Sequence, residues 1–202
     1  MADERVIEFF FDVGSPYSYL AATQIGGIGG RTGAEVRWRP FLLGGVFKDT
    51  GNEMPARVPS KARYMLADLA RWGEHYGVPI RVPPSRFPLS TLAAQRALTS
   101  VALSRPEKVP DFALGLFRAY WADDRDVSQP DVVSDVAGAC GLDGPAVLAA
   151  SGQQETKDAL RRWTGEAVER GAFGAPSIFV GDSLYWGNDR LDLLERNLQA
   201  TA

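Results

Sequence analysis

The stretch FFFDVGSPYSYLA (9–21) decides the fold. Val6–Phe11 is a short apolar, Phe-rich run of the kind that forms a buried strand. Asp12-Val13-Gly14 then turns the chain, Ser15 is suited to cap a helix, and Pro16 is suited to its first position. Tyr17, Leu20, Ala21 and Ile28 keep helical spacing, and Gly26, Gly27, Gly29 and Gly30 are expected to weaken or end that helix. Glu35-Val36-Arg37-Trp38-Arg39-Pro40 alternates as a second strand. The opening is therefore strand, helix, strand, for which a parallel pair is the natural arrangement.

Further along, the period changes to a helical one. Ala62, Met65, Leu66, Leu69 and Tyr76 share one face, as do Ala94, Ala97, Leu98 and Val101. The same holds for Ala113, Leu116, Phe117 and Tyr120, and for Val133, Val136, Ala137 and Cys140. Residues 44–154 are expected to form a strand-free helical block with proline-rich joints. After it, Leu160, Trp163, Thr164 and Ala167 mark a helix ended by Gly171. Ser177–Val180 and Ser183–Trp186 flank Gly181-Asp182 as a tight hairpin. Asn188 or Asp189 is expected to cap a last helix with Leu191, Leu194 and Leu198 facing inward. This order, βαβ, helices, then αββα, predicts an α/β thioredoxin-like domain built from 1–43 and 155–202, with a large all-helical insertion at 44–154.

Composition narrows the function. The chain has 202 residues, 45% hydrophobic, with a net charge of −3. A slightly acidic chain is not built for non-specific contact with a phosphate backbone, so nucleic acid is not an expected partner. One Cys cannot form an internal disulfide, and one His with one Cys cannot build a zinc cage. The first residues lack the apolar core of a signal peptide, and no apolar run nears the ~20 residues of a membrane span. A cytoplasmic protein that does not enter membranes is expected. Residues 1–101 hold 12 Lys/Arg against 9 Asp/Glu. Their basic stretch, Arg31, Arg37, Arg39, Lys48, Arg57, Lys61 and Arg63, reads as a solvated face or as a pocket wall for a small anion.

Chemistry concentrates at Asp12–Tyr19. Where a redox thioredoxin carries C-x-x-C, this chain has Ser15-Pro16-Tyr17-Ser18, and two hydroxyls cannot cycle between dithiol and disulfide. What remains is a helix N-terminus with a hydroxyl, able to favour a bound thiolate; Ser15 as a plain cap is the alternative. Gly174-Ala175-Pro176 stands where such a core places a cis-proline. Asn188 and Asp189 either hold an amino-acid end of a ligand or only cap a helix. Cys140 is expected in the core and His75 on the surface. Gly27–Gly33 nearly spells a dinucleotide fingerprint, but it follows a helix and its third Gly is one residue late.

Together with RPFLLGGVF (39–47), GNEMPARVPSKARYMLADLARW (51–72), RFPLSTLAAQRAL (86–98), GAFGAPSIFVG (171–181) and WGNDRLDLLE (186–195), these features resemble the 2-hydroxychromene-2-carboxylate isomerase family, relatives of kappa-class glutathione transferases. The resemblance implies glutathione as cofactor, a small aromatic carboxylate as substrate, and a homodimer. It implies Ser15 as the residue that hydrogen-bonds the glutathione thiolate, and Asn52 and Lys61 as contacts from the insertion. It further implies Ala175, ahead of Pro176, as the backbone partner of the cysteinyl unit, and Asn188 with Asp189 as the γ-glutamyl site. The reaction implied converts 2-hydroxychromene-2-carboxylate to trans-o-hydroxybenzylidenepyruvate by transient thiolate addition. A kappa-like transferase that consumes glutathione is the alternative, although G-N-D-R at 187–190 tilts towards the isomerases. A thioredoxin-like binding module without catalysis is the third reading.

Overall fold

The computed structural model describes residues 5–200. Strand β1 (Val6–Phe11) runs parallel to β2 (Glu35–Pro40), joined through helix α1 (Pro16–Thr32). Strands β3 (Ser177–Val180) and β4 (Ser183–Trp186) form the expected hairpin, with Val180 opposite Ser183 across Gly181-Asp182. β3 lies antiparallel against β1, with Ile7 opposite Val180 and Phe10 opposite Ser177, giving the order β2-β1-β3-β4. Between the two halves come α2 (Leu43–Thr50), α3 (Pro59–Tyr76), α4 (Leu92–Ser104), α5 (Val109–Trp121), α6 (Pro130–Ala139) and α7 (Gly144–Ser151). No strand interrupts 44–154. Helices α8 (Gln154–Glu169) and α9 (Leu191–Ala200) flank the hairpin.

Strand β1 is buried on both faces, and its side chains divide by the two-residue period of a strand. Ile7, Phe9 and Phe11 enter a core shared with α1, α4 and α5, where Leu98, Phe112, Leu116 and Phe117 are fully buried. Phe10 points the other way, towards Phe41, Phe179 and Trp163 of α8. Phe9 and Phe11 both meet the edge of Trp38, and Tyr19 stacks on Phe117 at 5.6 Å. Such aromatic pairs add about 0.5–1.5 kcal/mol each beyond burial. The stack on Phe117 ties α1 to the helical segment, so sheet and helices share one continuous core.

The glycine-rich run does not end α1. The helix continues through Gly26–Gly30 to Thr32 and stops at Gly33, whose φ of 69° is the left-handed conformation common after helices. Gly29 has a packing reason: a Cβ there would stand 2.6 Å from Val36 Cγ2 and 2.9 Å from the Ala34 carbonyl. The helix lies that close to β2, and only a residue without a side chain permits it. At Gly26 and Gly30 a Cβ would meet nothing.

Two more expectations change. Neither Asn188 nor Asp189 caps the last helix; both lie inside a short 3₁₀ turn (Asn188–Arg190) that runs directly into α9. Cys140 is half-buried, its Sγ against the Asp111 carbonyl; it stands one residue past the end of α6, at the margin of the core that Val133, Val136 and Ala137 enter. Burial still raises its thiol pKa, which keeps it protonated. His75 is exposed, as expected, beside Trp72 and Tyr76.

Candidate active site

The junction of β1 and α1 is fixed by buried polar groups. Asp12, 2% exposed, accepts hydrogen bonds from Gly14 N at 2.8 Å, Leu43 N at 2.8 Å and Thr91 Oγ1 at 2.7 Å. Burial nevertheless raises its carboxyl pKa above the ordinary value of 3.8. Gln95, buried on α4, donates to the carbonyls of Phe11 and Phe41 and accepts from Val13 N. The indole N–H of Trp121 donates to the Val13 carbonyl at 2.7 Å. Thus α4, α5 and the residue before α4 clamp the loop that presents Ser15. The sequence marks Asp12 only as part of a turn and gives Thr91, Gln95 and Trp121 no role in the site. The legible signals were an Asp ending an apolar strand and a Gln on the apolar face of α4.

Ser15 begins the site. It is 4% exposed, and its Oγ accepts from Ser18 N at 3.1 Å, closing the first turn of α1. The same hydroxyl donates to the Ala175 carbonyl at 2.9 Å. The Ala175–Pro176 peptide is cis, as are Val82–Pro83 and Phe87–Pro88. The Pro176 carbonyl accepts from Gly187 N, so the proline turn and the turn ahead of α9 are held together.

These elements wall a cleft of about 1460 Å³. Ser15, Asn52, Lys61, Ala175, Asn188 and Asp189 all line it, although they come from four separate parts of the chain. Pro176 stands just behind the wall. Asn52 Nδ2 donates to the Phe173 carbonyl at 2.7 Å and thereby ties the segment after α2 to the proline turn. Lys61, from α3, lines the cleft with an exposed side chain. Tyr17 reaches from α1 to α3, donating to Asp68 at 3.0 Å; burial and that carboxylate raise its phenol pKa well above 10. Of the basic stretch, Arg57 and Lys61 line the cleft. Arg31, Arg37 and Arg39 are instead spent on Glu195, Glu35 and Glu8.

Asn188 brings a buried donor without a partner to the cleft. It is 2% exposed, its carbonyl accepts from the Tyr76 hydroxyl, and its side-chain Nδ2 has no partner. A buried, unpaired amide donor is costly, about 1–3 kcal/mol, unless an acceptor arrives. A carboxylate entering the cleft would supply one. With the hydroxyl of Ser15 at a helix N-terminus and the exposed cations Arg57 and Lys61 in the lining, the donor set fits a thiol-bearing peptide with carboxylate ends.

The model of the DSBA-like thioredoxin domain matches residues 6–199. The chain belongs to the DsbA-like thioredoxin family. Within that family it is 32% identical to the 2-hydroxychromene-2-carboxylate isomerase of Sphingobium xenophagum, covering 96% of this chain and 98% of that one. It is equally 32% identical to Glutathione S-transferase kappa 1 of Rattus norvegicus, over 94% and 89% of the two chains. A solved 2-hydroxychromene-2-carboxylate isomerase superposes with a TM-score of 0.84 at 26% identity, covering 97% and 95%. Unlike a redox DsbA-like protein, this member has no cysteine at the start of α1. No helix among the described residues is long and apolar enough to cross a membrane, and no cluster of His, Cys, Asp and Glu among them suits a metal.

Proposed function

We propose that this protein is a glutathione-dependent isomerase of 2-hydroxychromene-2-carboxylate or a closely related aromatic carboxylate. The observation that carries the reading is the convergence of Ser15, Ala175 and the unpaired Asn188 amide on one cleft beside Asn52, Lys61 and Asp189. Bound glutathione would supply a thiolate that, with the hemiketal ring opened to a phenol and a ketone, adds to the conjugated double bond and makes it single; the bond can then rotate, and departure of the thiolate restores it as trans. Everything else falls to the chain itself.

Ser15 has one proton to give, and it gives it to the Ala175 carbonyl. Rotation of its hydroxyl towards the ligand sulfur would free that carbonyl for the ligand's cysteinyl N–H, so one hydrogen bond is exchanged for two. The positive end of α1 favours the same charge by about 0.3–1 kcal/mol. Asn188 Nδ2 and Asp189 would hold the γ-glutamyl carboxylate and amine. Asn52 and Lys61 would close on the ligand from the helical side. A homodimer, with an aromatic carboxylate as the second ligand, belongs to this reading.

Equal identity to a kappa-class transferase supports a second reading, conjugation of glutathione to electrophiles. One assay separates the two. Absorbance change of 2-hydroxychromene-2-carboxylate should accelerate only when protein and glutathione are both present, with the thiol titre unchanged at completion. Stoichiometric loss of thiol would establish the transferase instead, and turnover without glutathione would remove the cofactor from the reaction.

A further inference from the structure

A second cavity, of about 440 Å³, branches from the cleft between the first turns of α3 and the 82–88 loop. Met54, Arg57, Met65 and Phe87 line both spaces, so the annex is continuous with the proposed thiol site. Beyond them its walls are Ala56, Ala62, Leu66 and the two prolines Pro83 and Pro88. Arg57 is the one charged residue among its lining. Ser15, Ala175, Asn188 and Asp189 do not line it.

We propose that this annex binds the second substrate, and that it selects a flat apolar molecule of two or more rings carrying one anionic group for Arg57. The volume lies within the roughly 300–1,000 Å³ of small-molecule sites, and apolar walls with one convergent polar group are the usual composition of such sites. Prolines at the loop wall lose little entropy when covered, and the methionines adapt to the outline of a planar body. Arg57 is available: its partner is Glu53 at 2.8 Å, and the two side chains are 69% and 64% exposed. An ion pair so open to water contributes at most about 1 kcal/mol, so exchanging Glu53 for a ligand carboxylate costs little, and the guanidinium offers that carboxylate a two-pronged contact. The annex thereby names the residues that would hold the aromatic substrate of the proposed reaction. It rests on that reading only for the link to chemistry, because binding itself can be measured without glutathione.

Two fluorescent probes make the test: the anionic dye 8-anilinonaphthalene-1-sulfonate and its uncharged analogue N-phenyl-1-naphthylamine. Both should bind the glutathione-free protein. Ala62→Trp, which fills the annex from α3, should weaken both about tenfold or more, and Ala56→Trp should do the same from the preceding turn. Neither residue lines the thiol cleft, so glutathione affinity should be unchanged, with circular dichroism confirming the fold. Arg57→Met should weaken the anionic dye about tenfold while leaving the neutral one within about twofold. Dye affinity unaltered in both folded tryptophan variants would overturn the annex as a binding site, and equal losses for the two dyes in Arg57→Met would overturn the anionic requirement. The expected dye pattern in a protein that fails to bind glutathione would sustain the annex and sink the isomerase reading.

Discussion

At the scale of single residues, Ser15 is bound twice over, to Ser18 N and to the Ala175 carbonyl. Ser15→Ala removes both bonds, so two effects must be kept apart. Loss of the cap costs about 1 kcal/mol of stability, visible as a lower melting temperature. Loss of a charge-assisted bond to a thiolate is larger, about 1.5–3 kcal/mol, and appears in turnover. The isomerisation rate should fall roughly ten- to a hundredfold while glutathione affinity changes far less. Thiolate absorbance in the ultraviolet should show a higher bound-thiol pKa in the variant. An unchanged rate and thiol pKa would reduce Ser15 to a helix cap.

At the scale of elements, the glycines of α1 make a sharp comparison. Gly26→Ala and Gly30→Ala add a methyl group to open space on an exposed helix face, where alanine is favoured over glycine by up to about 1 kcal/mol each. Both variants should raise the denaturation midpoint. Gly29→Ala should lower it despite the same helix preference, since its Cβ would press on Val36 and the Ala34 carbonyl. The loop that carries the annex prolines gives a second prediction. Asp126 accepts from Ser128 and pairs with Arg86, and these bonds hold its carboxyl down to about 2, against an ordinary 3.8. Because the folded chain releases this proton more readily than the unfolded one, the stabilisation is complete above about pH 4 and fades as pH falls towards 2. Asp126→Ala should therefore melt lower than the parent chain at pH 7, with the gap narrowing by pH 2.5. A gap independent of pH would show that charge plays no part.

For the whole molecule, the cleft is walled by the sheet side on one hand and by α2 and α3 on the other, so a ligand there binds the folded state alone. Glutathione at about a hundred times its dissociation constant should add about 2.7 kcal/mol of stability. For a chain of this length that is a rise in melting temperature of roughly 5–10 °C. No shift at millimolar glutathione, with calorimetry equally silent, would leave a binding module for some other ligand.

Local pattern was enough for most of the architecture. The strands alternate or run apolar over a few residues, the helices repeat at 3.6, and prolines and left-handed glycines mark the joints, so β1, α1, β2, the helical segment and the final hairpin were all legible. Ser15 was legible for the same reason, since a cap and the proline after it are neighbours in sequence. Distances set by neighbours far along the chain were not legible. Gly29 looks like a helix breaker until Val36, seven residues on, is seen pressed against it. Asn188 looks like a cap until the turn it occupies buries its amide with no acceptor. Asp12, Thr91 and Gln95 hold the active loop across 79 to 84 residues of separation, and sequence periodicity carries no information at that range. Hydrophobic patterning is read residue by residue, whereas a buried polar group is defined by which partner reaches it, and only tertiary packing decides that.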